Sequence, residues 1–133
     1  GDGRALYLNR LSSDGTILEL AKEDATVGFL GTGNGGDLYI GNSGTGLMFA
    51  GGSNAIIPTN QTALRDDAID LGSSSKQWRD IYTGDINLNN TKTRDNEVDG
   101  TRGSWTIQEG KDDLYILNRL NGKKYRFKLE EMK

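Results

Sequence analysis

The sequence predicts an all-β chain of Gly-rich short strands, β-prism-like or β-solenoid-like, interrupted by one short helix at about 74–82 and finished by a C-terminal β-hairpin. Three observations carry this. Apolar pairs one residue apart recur through the first half, glycine reaches 19 residues against a single proline, and Asn121-Gly122 separates two strand-like runs.

The pairs are Leu6 and Leu8, Leu18 and Leu20, Val27 and Phe29, Leu38 and Ile40, Leu47 and Phe49. Alternation places each pair on one side of a short strand, read here as the inward side. Turn-forming residues fill the gaps, as in Ser-Ser-Asp-Gly and Asn-Ser-Gly-Thr-Gly. A spacing near ten residues fits a β-meander, a solenoid rung or three chains wound into a triangular prism. Glycine richness favours the prism, because it lets backbones approach a shared axis. The run GTGNGG at 31–36 looks like a nucleotide loop but lacks the context, since Asp37-Leu38-Tyr39-Ile40 reads as a strand and no Gly-Lys-Ser/Thr follows. It is read as a turn between strands.

Residues 50–64 (AGGSNAIIPTNQTAL) read as a connector, and Pro58 within them suits an edge or linker. The expected modules are 1–57, a connector with helix and polar loop over 58–103, and 104–133. In RDDAIDLGSSSKQWRDIYTGDINL, at 65–88, Ser73, Ser74 and Ser75 offer caps for a helix and Gly84 a left-handed end. Trp78, Ile81 and Tyr82 then stand at i, i+3 and i+4 on one face, with Lys76, Arg79 and Asp80 on the others. So short a helix needs packing against strands or other chains.

This stretch resembles a motif of tail-fibre and tail-spike proteins of tailed bacteriophages, in which Asp-Leu-Gly-Ser-Ser is followed by a bulky aromatic and an Ile/Leu-Tyr pair, here Asp70 to Ser74, Trp78, Ile81 and Tyr82. SWTIQEGKDDLYILNRLNGKKYRFKLEE, from Ser104, resembles C-terminal segments of phage fibre-like proteins. The resemblance implies a trimeric, β-rich fibre segment of a virion appendage. It implies no chemistry. Ser73 to Ser75 beside Lys76 invite comparison with self-cleaving fibre chaperones, but serines in this position read as helix caps.

After Ile86 and Leu88 resume alternation, residues 89–103 form a polar loop. Asp95, Glu97 and Asp99 followed by Gly100 look like the first half of a calcium loop, but the twelfth position is Thr106 where a bidentate Glu is needed. They are weak metal candidates, and the loop reads as a solvated acidic turn. Trp105 and Ile107 begin a final strand set, Gly110 to Asp112 turn, and Leu114 to Leu120 lead to Asn121-Gly122, a type I′ hairpin signal. In the second arm, 123–129, Tyr125, Phe127 and Leu129 share one face, and Lys124, Arg126 and Lys128 the other. The first arm is apolar on both sides, as a central strand would be. ALYLNRLSSDG at 5–15 and DLYILNRLNGK at 113–123 are similar enough to suggest two related strand-and-turn units.

Hydrophobic residues make up 34% of the 133, a small share for a compact domain, so oligomerisation is the expected source of buried area. Retention of two Trp, five Tyr and three Phe in alternating register argues against disorder. With neither Cys nor His, disulfides, thiolate metal sites and histidine general bases are excluded. Residues 1–110 hold nine basic and fifteen acidic side chains (net −6), and residues 111–133 seven and four (net +3). No groove-reading element or stacking platform accompanies the basic end, so nucleic acid is not an expected partner. No apolar run reaches the ~18 residues of a membrane span. The opening Gly-Asp-Gly without Met suggests a piece of a longer polypeptide. The adjacent pairs Asp66-Asp67 and Asp112-Asp113 would point to opposite sides of a strand, so neither forms a glycosidase dyad, and no enzyme activity or cofactor is expected.

The expectation is therefore a homotrimeric virion fibre segment, made in the host cytoplasm. Its partners would be itself, other appendage proteins and a host glycan or receptor. Leu71, Trp78, Ile81 and Tyr82 are expected at the chain interface, where four buried side chains would contribute on the order of 10 kcal/mol before ordering costs. A head fibre or capsid decoration protein, or a carbohydrate-binding module using Tyr39, Tyr115 or Trp105 as sugar platforms, are the alternatives.

Overall fold

The structure, a computed structural model, describes residues 3–61 and 63–132. The chain is all-β, with a single 3₁₀ turn at Gly51–Ser53 as its helical element among the described residues. It divides into two units, Gly1–Leu71 and Gly72–Lys133. Each carries one open antiparallel sheet and is described by itself.

The first unit is a meander of β1 (Gly15–Lys22), β2 (Ala25–Gly33), β3 (Asp37–Gly41), β4 (Gly46–Ala50) and β5 (Ala55–Thr59), adjacent in chain order. The apolar pairs from Leu18 to Phe49 all fall on β1 to β4, and GTGNGG is the end of β2 and its turn into β3. Polar side chains close the turns. Asn42 Oδ1 accepts the amides of Gly44 (2.9 Å) and Thr45 (2.8 Å), and the Asp14 carboxylate accepts that of Gly35 at 2.8 Å.

Register decides which side is covered. Leu18 faces Leu30, Leu30 faces Ile40, Ile40 faces Leu47, Leu38 faces Phe49, Phe49 faces Ile56 and Leu47 faces Pro58. Opposed residues of an antiparallel pair share a side, so these side chains make one continuous apolar face. Leu38, Ile40, Leu47, Phe49 and Ile56 on that face are open, from 43% exposed at Leu47 and Phe49 to 63% at Ile56, while Leu18, Leu30 and Pro58 are half-buried. The covered face is the other one, where Tyr39, Met48, Ala50 and Thr59 are buried. The reading of the apolar pairs as inward is therefore corrected for Leu38 and Ile40 and for Leu47 and Phe49, whereas Phe29, opposite Gly41, lies half-buried on the covered side.

Glycine explains the inversion. The Tyr39 ring crosses β2 at Gly31, where a Cβ would meet the Gly15 carbonyl oxygen and stand 2.8 Å from the Tyr39 hydroxyl. That hydroxyl pairs with Thr16 Oγ1 at 3.2 Å, and Thr16 Oγ1 accepts from Gln61 Nε2 at 3.3 Å. Only a strand without side chains at this crossing lets an aromatic lie so close to its backbone.

Three further expectations are corrected here. Leu6 and Leu8 lie on no strand: residues 5–11 pair with no neighbouring strand, and the guanidinium of Arg10 turns back to donate to the Ser13 carbonyl at 2.9 Å. The likeness of 5–15 to 113–123 therefore does not extend to structure, since only the second copy forms a strand. Residues 55–59 are not connector but β5, and the boundary between the chain's two compact units falls at 71/72. Pro58 does sit on an edge strand, and its carbonyl accepts the Arg65 amide at 2.9 Å.

The second unit orders β6 (Ile86–Asn89), β7 (Ser104–Glu109), β8 (Leu114–Asn118) and β9 (Lys124–Arg126) as neighbours, with β8 interior as its two-sided apolar pattern requires. Ile86 faces Ile107, Leu88 faces Trp105, Ile107 faces Ile116 and Ile116 faces Tyr125. This makes a second apolar face, on which the Trp105 and Tyr125 rings stand 5.9 Å apart. On the polar side, the fully buried Thr106 hydroxyl donates to Asn87 Oδ1 at 2.7 Å and accepts from Arg119 Nε at 2.8 Å.

The hairpin joining β8 to β9 is not the expected two-residue I′ turn. Asn118 and Lys123 bracket a four-residue loop, with the Gly122 amide donating to the Asn118 carbonyl at 2.9 Å. Of Asn121 and Gly122 only the glycine has positive φ (73°). The Asn118 side chain decides this, because its Oδ1 accepts the amides of Leu120 and Asn121 and so favours the longer loop. The second arm is shorter than expected, ending at Arg126 apart from one more bond from the Phe127 amide to the Leu114 carbonyl.

Candidate functional site

The stretch 74–82, expected to be a capped helix, is not one. Ser73 and Lys76 instead form a tight turn closed in both directions, the Ser73 amide donating to the Lys76 carbonyl at 2.9 Å and the Lys76 amide to the Ser73 carbonyl at 3.3 Å. The Ser73 hydroxyl also accepts the Lys76 amide, at 3.1 Å. The serine thus does what an N-cap does, but no helical turn follows, and Gly84 is not left-handed. A nucleus of two turns returns too few hydrogen bonds to offset its own ordering, and no neighbouring surface supports it here. Trp78, Ile81 and Tyr82 therefore share no helical face. All are exposed, as is Leu71, with Tyr82 at 95%. The Lys76 ammonium donates to the Ser75 carbonyl rather than to a serine hydroxyl, so nothing here activates a nucleophile.

The acidic loop is organised by amides. Asn96 Oδ1 accepts the amides of Val98 and Asp99, and the Asp99 carboxylate accepts the amide (3.0 Å) and hydroxyl (2.8 Å) of Thr101. Asp95 is paired with Arg102 at 2.7 Å, while Glu97 is exposed. The three acids thus point to separate tasks, and among the described residues no three carboxylates are grouped to hold a metal ion. Hydrogen bonds from Asn96 and then Thr101 hold Asp99 below the ordinary carboxylate value of 3.8. A depressed folded-state value means that these bonds favour the closed loop above the unfolded value and are lost as pH falls through the folded one. The Thr101 amide resonance is therefore expected to move, in a pH titration followed by NMR, with a midpoint below 3.8. A midpoint above that value would contradict the loop geometry.

Of the aromatic platforms, Tyr39 is only 2% exposed and is removed as a sugar-stacking residue. Trp105 is half-buried against Tyr125, and Tyr115 stands more open, on the polar side of the second sheet. Asp113 of the Asp112-Asp113 pair is bound to Arg126 at 3.5 Å. A cavity of about 160 Å³ lies beside Gly33, Met48, Thr59 and Gln61. The buried Thr59 hydroxyl shares its one proton between the Ala63 (2.7 Å) and Asn60 (2.8 Å) carbonyls, so it has no free donor for a ligand.

What the geometry does concentrate is apolar surface. Alternation in the sequence located the first-sheet face but could not say that the chain leaves it open, because the signal for that lies in the glycines of the opposite side. No family model matches the chain, and comparison with curated proteins and with solved structures finds no match.

Proposed function

We propose that this chain is a structural segment of a virion fibre, of the tail-fibre or tail-spike kind, that assembles as a homotrimer and carries or presents host-receptor binding. One observation carries the reading. Among the described residues, the buried hydrophobic side chains are Tyr39, Met48 and Ala50, while 26 large hydrophobics are exposed. A monomer with that balance offsets little of its ordering cost, and further copies are the simplest source of missing burial. The likeness of 65–88 and of the segment from Ser104 to phage fibre proteins supplies the number three and the setting. Leu71, Trp78, Ile81 and Tyr82, all open to solvent in one chain, are assigned to the contact between copies.

Light scattering of the purified chain is expected to return the mass of three copies, and Trp78→Ala that of one. A one-chain mass for the unaltered protein would end the reading. A three-chain mass for Trp78→Ala would remove only the assignment of that tryptophan to the contact.

A further inference from the structure

We infer that the open apolar face of the first sheet, represented by Leu20, Leu38, Ile40, Leu47, Phe49 and Ile56, is the principal surface by which copies of this chain bind one another. This deepens the homotrimer reading and rests on it. The inference adds a contact over β1 to β5 to the one around Trp78, and loss of either is expected to separate the copies.

Extent and chemistry support it together. The six side chains are each more than two-fifths exposed, and Leu38, Ile40, Leu47, Phe49 and Ile56 are contiguous through the strand register, with half-buried Leu30 between them and β1. With their neighbours they present on the order of 600 Å² of apolar surface. That is at the upper end of what monomers leave uncovered, and close to the ~800 Å² each partner gives to a stable interface. No charged residue interrupts it from β2 to β5, and on β1 the first charge on that side, Lys22, stands at the strand's end. A site for a polar or charged ligand would carry directing groups, and this face has only Thr32 among its central positions.

The occupant follows from necessity. A sheet whose covered side contributes one tyrosine, one methionine and one alanine to the core needs its other side covered at all times. A copy of the same chain is present wherever the chain is made, and three such sheets turned towards one axis, as in a triangular prism, each cover their neighbours' uncharged faces.

The test places a charge at the centre of the face. Leu47→Lys and Ile40→Lys alter positions already partly exposed in one chain, so each is expected to keep its β circular dichroism while its mass falls threefold. A second readout stays valid if a lysine variant does not fold. The chain has no cysteine, so Leu47→Cys and Ser43→Cys introduce single thiols, one on the face and one in an exposed turn. In the assembled protein the thiol at 47 should react with a maleimide at least about tenfold more slowly, as buried thiols do.

Equal thiol rates in a three-chain particle, or lysine variants that keep the three-chain mass, would overturn the inference and leave the homotrimer reading standing. A one-chain mass for the unaltered protein would overturn both. Protection of the thiol only after lipid vesicles or another protein are added would assign the face to a different occupant and also overturn the inference.

Discussion

Gly31→Ala is expected to unfold the first sheet, at a cost of about 3 kcal/mol or more, since no rotamer can relieve a clash that begins at Cβ. The added methyl would meet the Gly15 carbonyl oxygen, the Tyr39 hydroxyl at 2.8 Å and Thr16 Cα at 2.9 Å. Two of these are backbone atoms, so strands β1 and β2 must separate or Tyr39 must leave. Amide hydrogen exchange locates the damage. Protection should disappear across Ala25–Gly33 and Asp37–Gly41 while Ser104–Glu109 and Leu114–Asn118 retain theirs. Unchanged protection in β2 would mean that the tyrosine does not cross the strand at this point.

Tyr39→Ala should cost about 3–4 kcal/mol, in the range for deleting a buried aromatic, and Tyr39→Phe about 1 kcal/mol for the hydroxyl alone. The ring is the largest apolar group in the described core, and its hydroxyl bonds to Thr16, which keeps Gln61 as a partner. Urea unfolding followed by circular dichroism, at one fixed protein concentration, measures both variants. If the alanine variant is no weaker than the phenylalanine one, the ring is not buried in solution.

Much of this architecture could be read from residue order, and the failures have identifiable causes. Leu18 to Phe49 alternate with period two, and that alone places β1 to β4. Alternation is blind to which side is covered, however, because both sides of a strand repeat with the same period. The side was settled by Gly31 and Gly33, whose missing side chains make room for Tyr39 and Met48. Residues 55–59 were missed because a proline and two isoleucines in a row do not alternate. The helix failed for another reason. The spacing of Trp78, Ile81 and Tyr82 is what a helix requires, but spacing cannot supply the partner surface that so short a helix needs. At the hairpin, Asn121-Gly122 correctly marked the turn, and Asn118, three residues upstream, set its length. The acidic loop was recognisable as solvated from its missing twelfth ligand, whereas the organising role of Asn96 depends on bonds to Asp99 and Thr101 that no spacing rule announces.

The outer margin of β5 limits how such molecules can accumulate. Pro58 has no amide hydrogen to give, its carbonyl is occupied by Arg65, and Thr59 is bridged to Leu64, so the chain's own return covers the rim where another strand would zip on. Lateral growth into an unending ribbon is barred on that flank. In the proposed homotrimer, contact between broad surfaces stops once they are covered, which gives the particle a finite copy number.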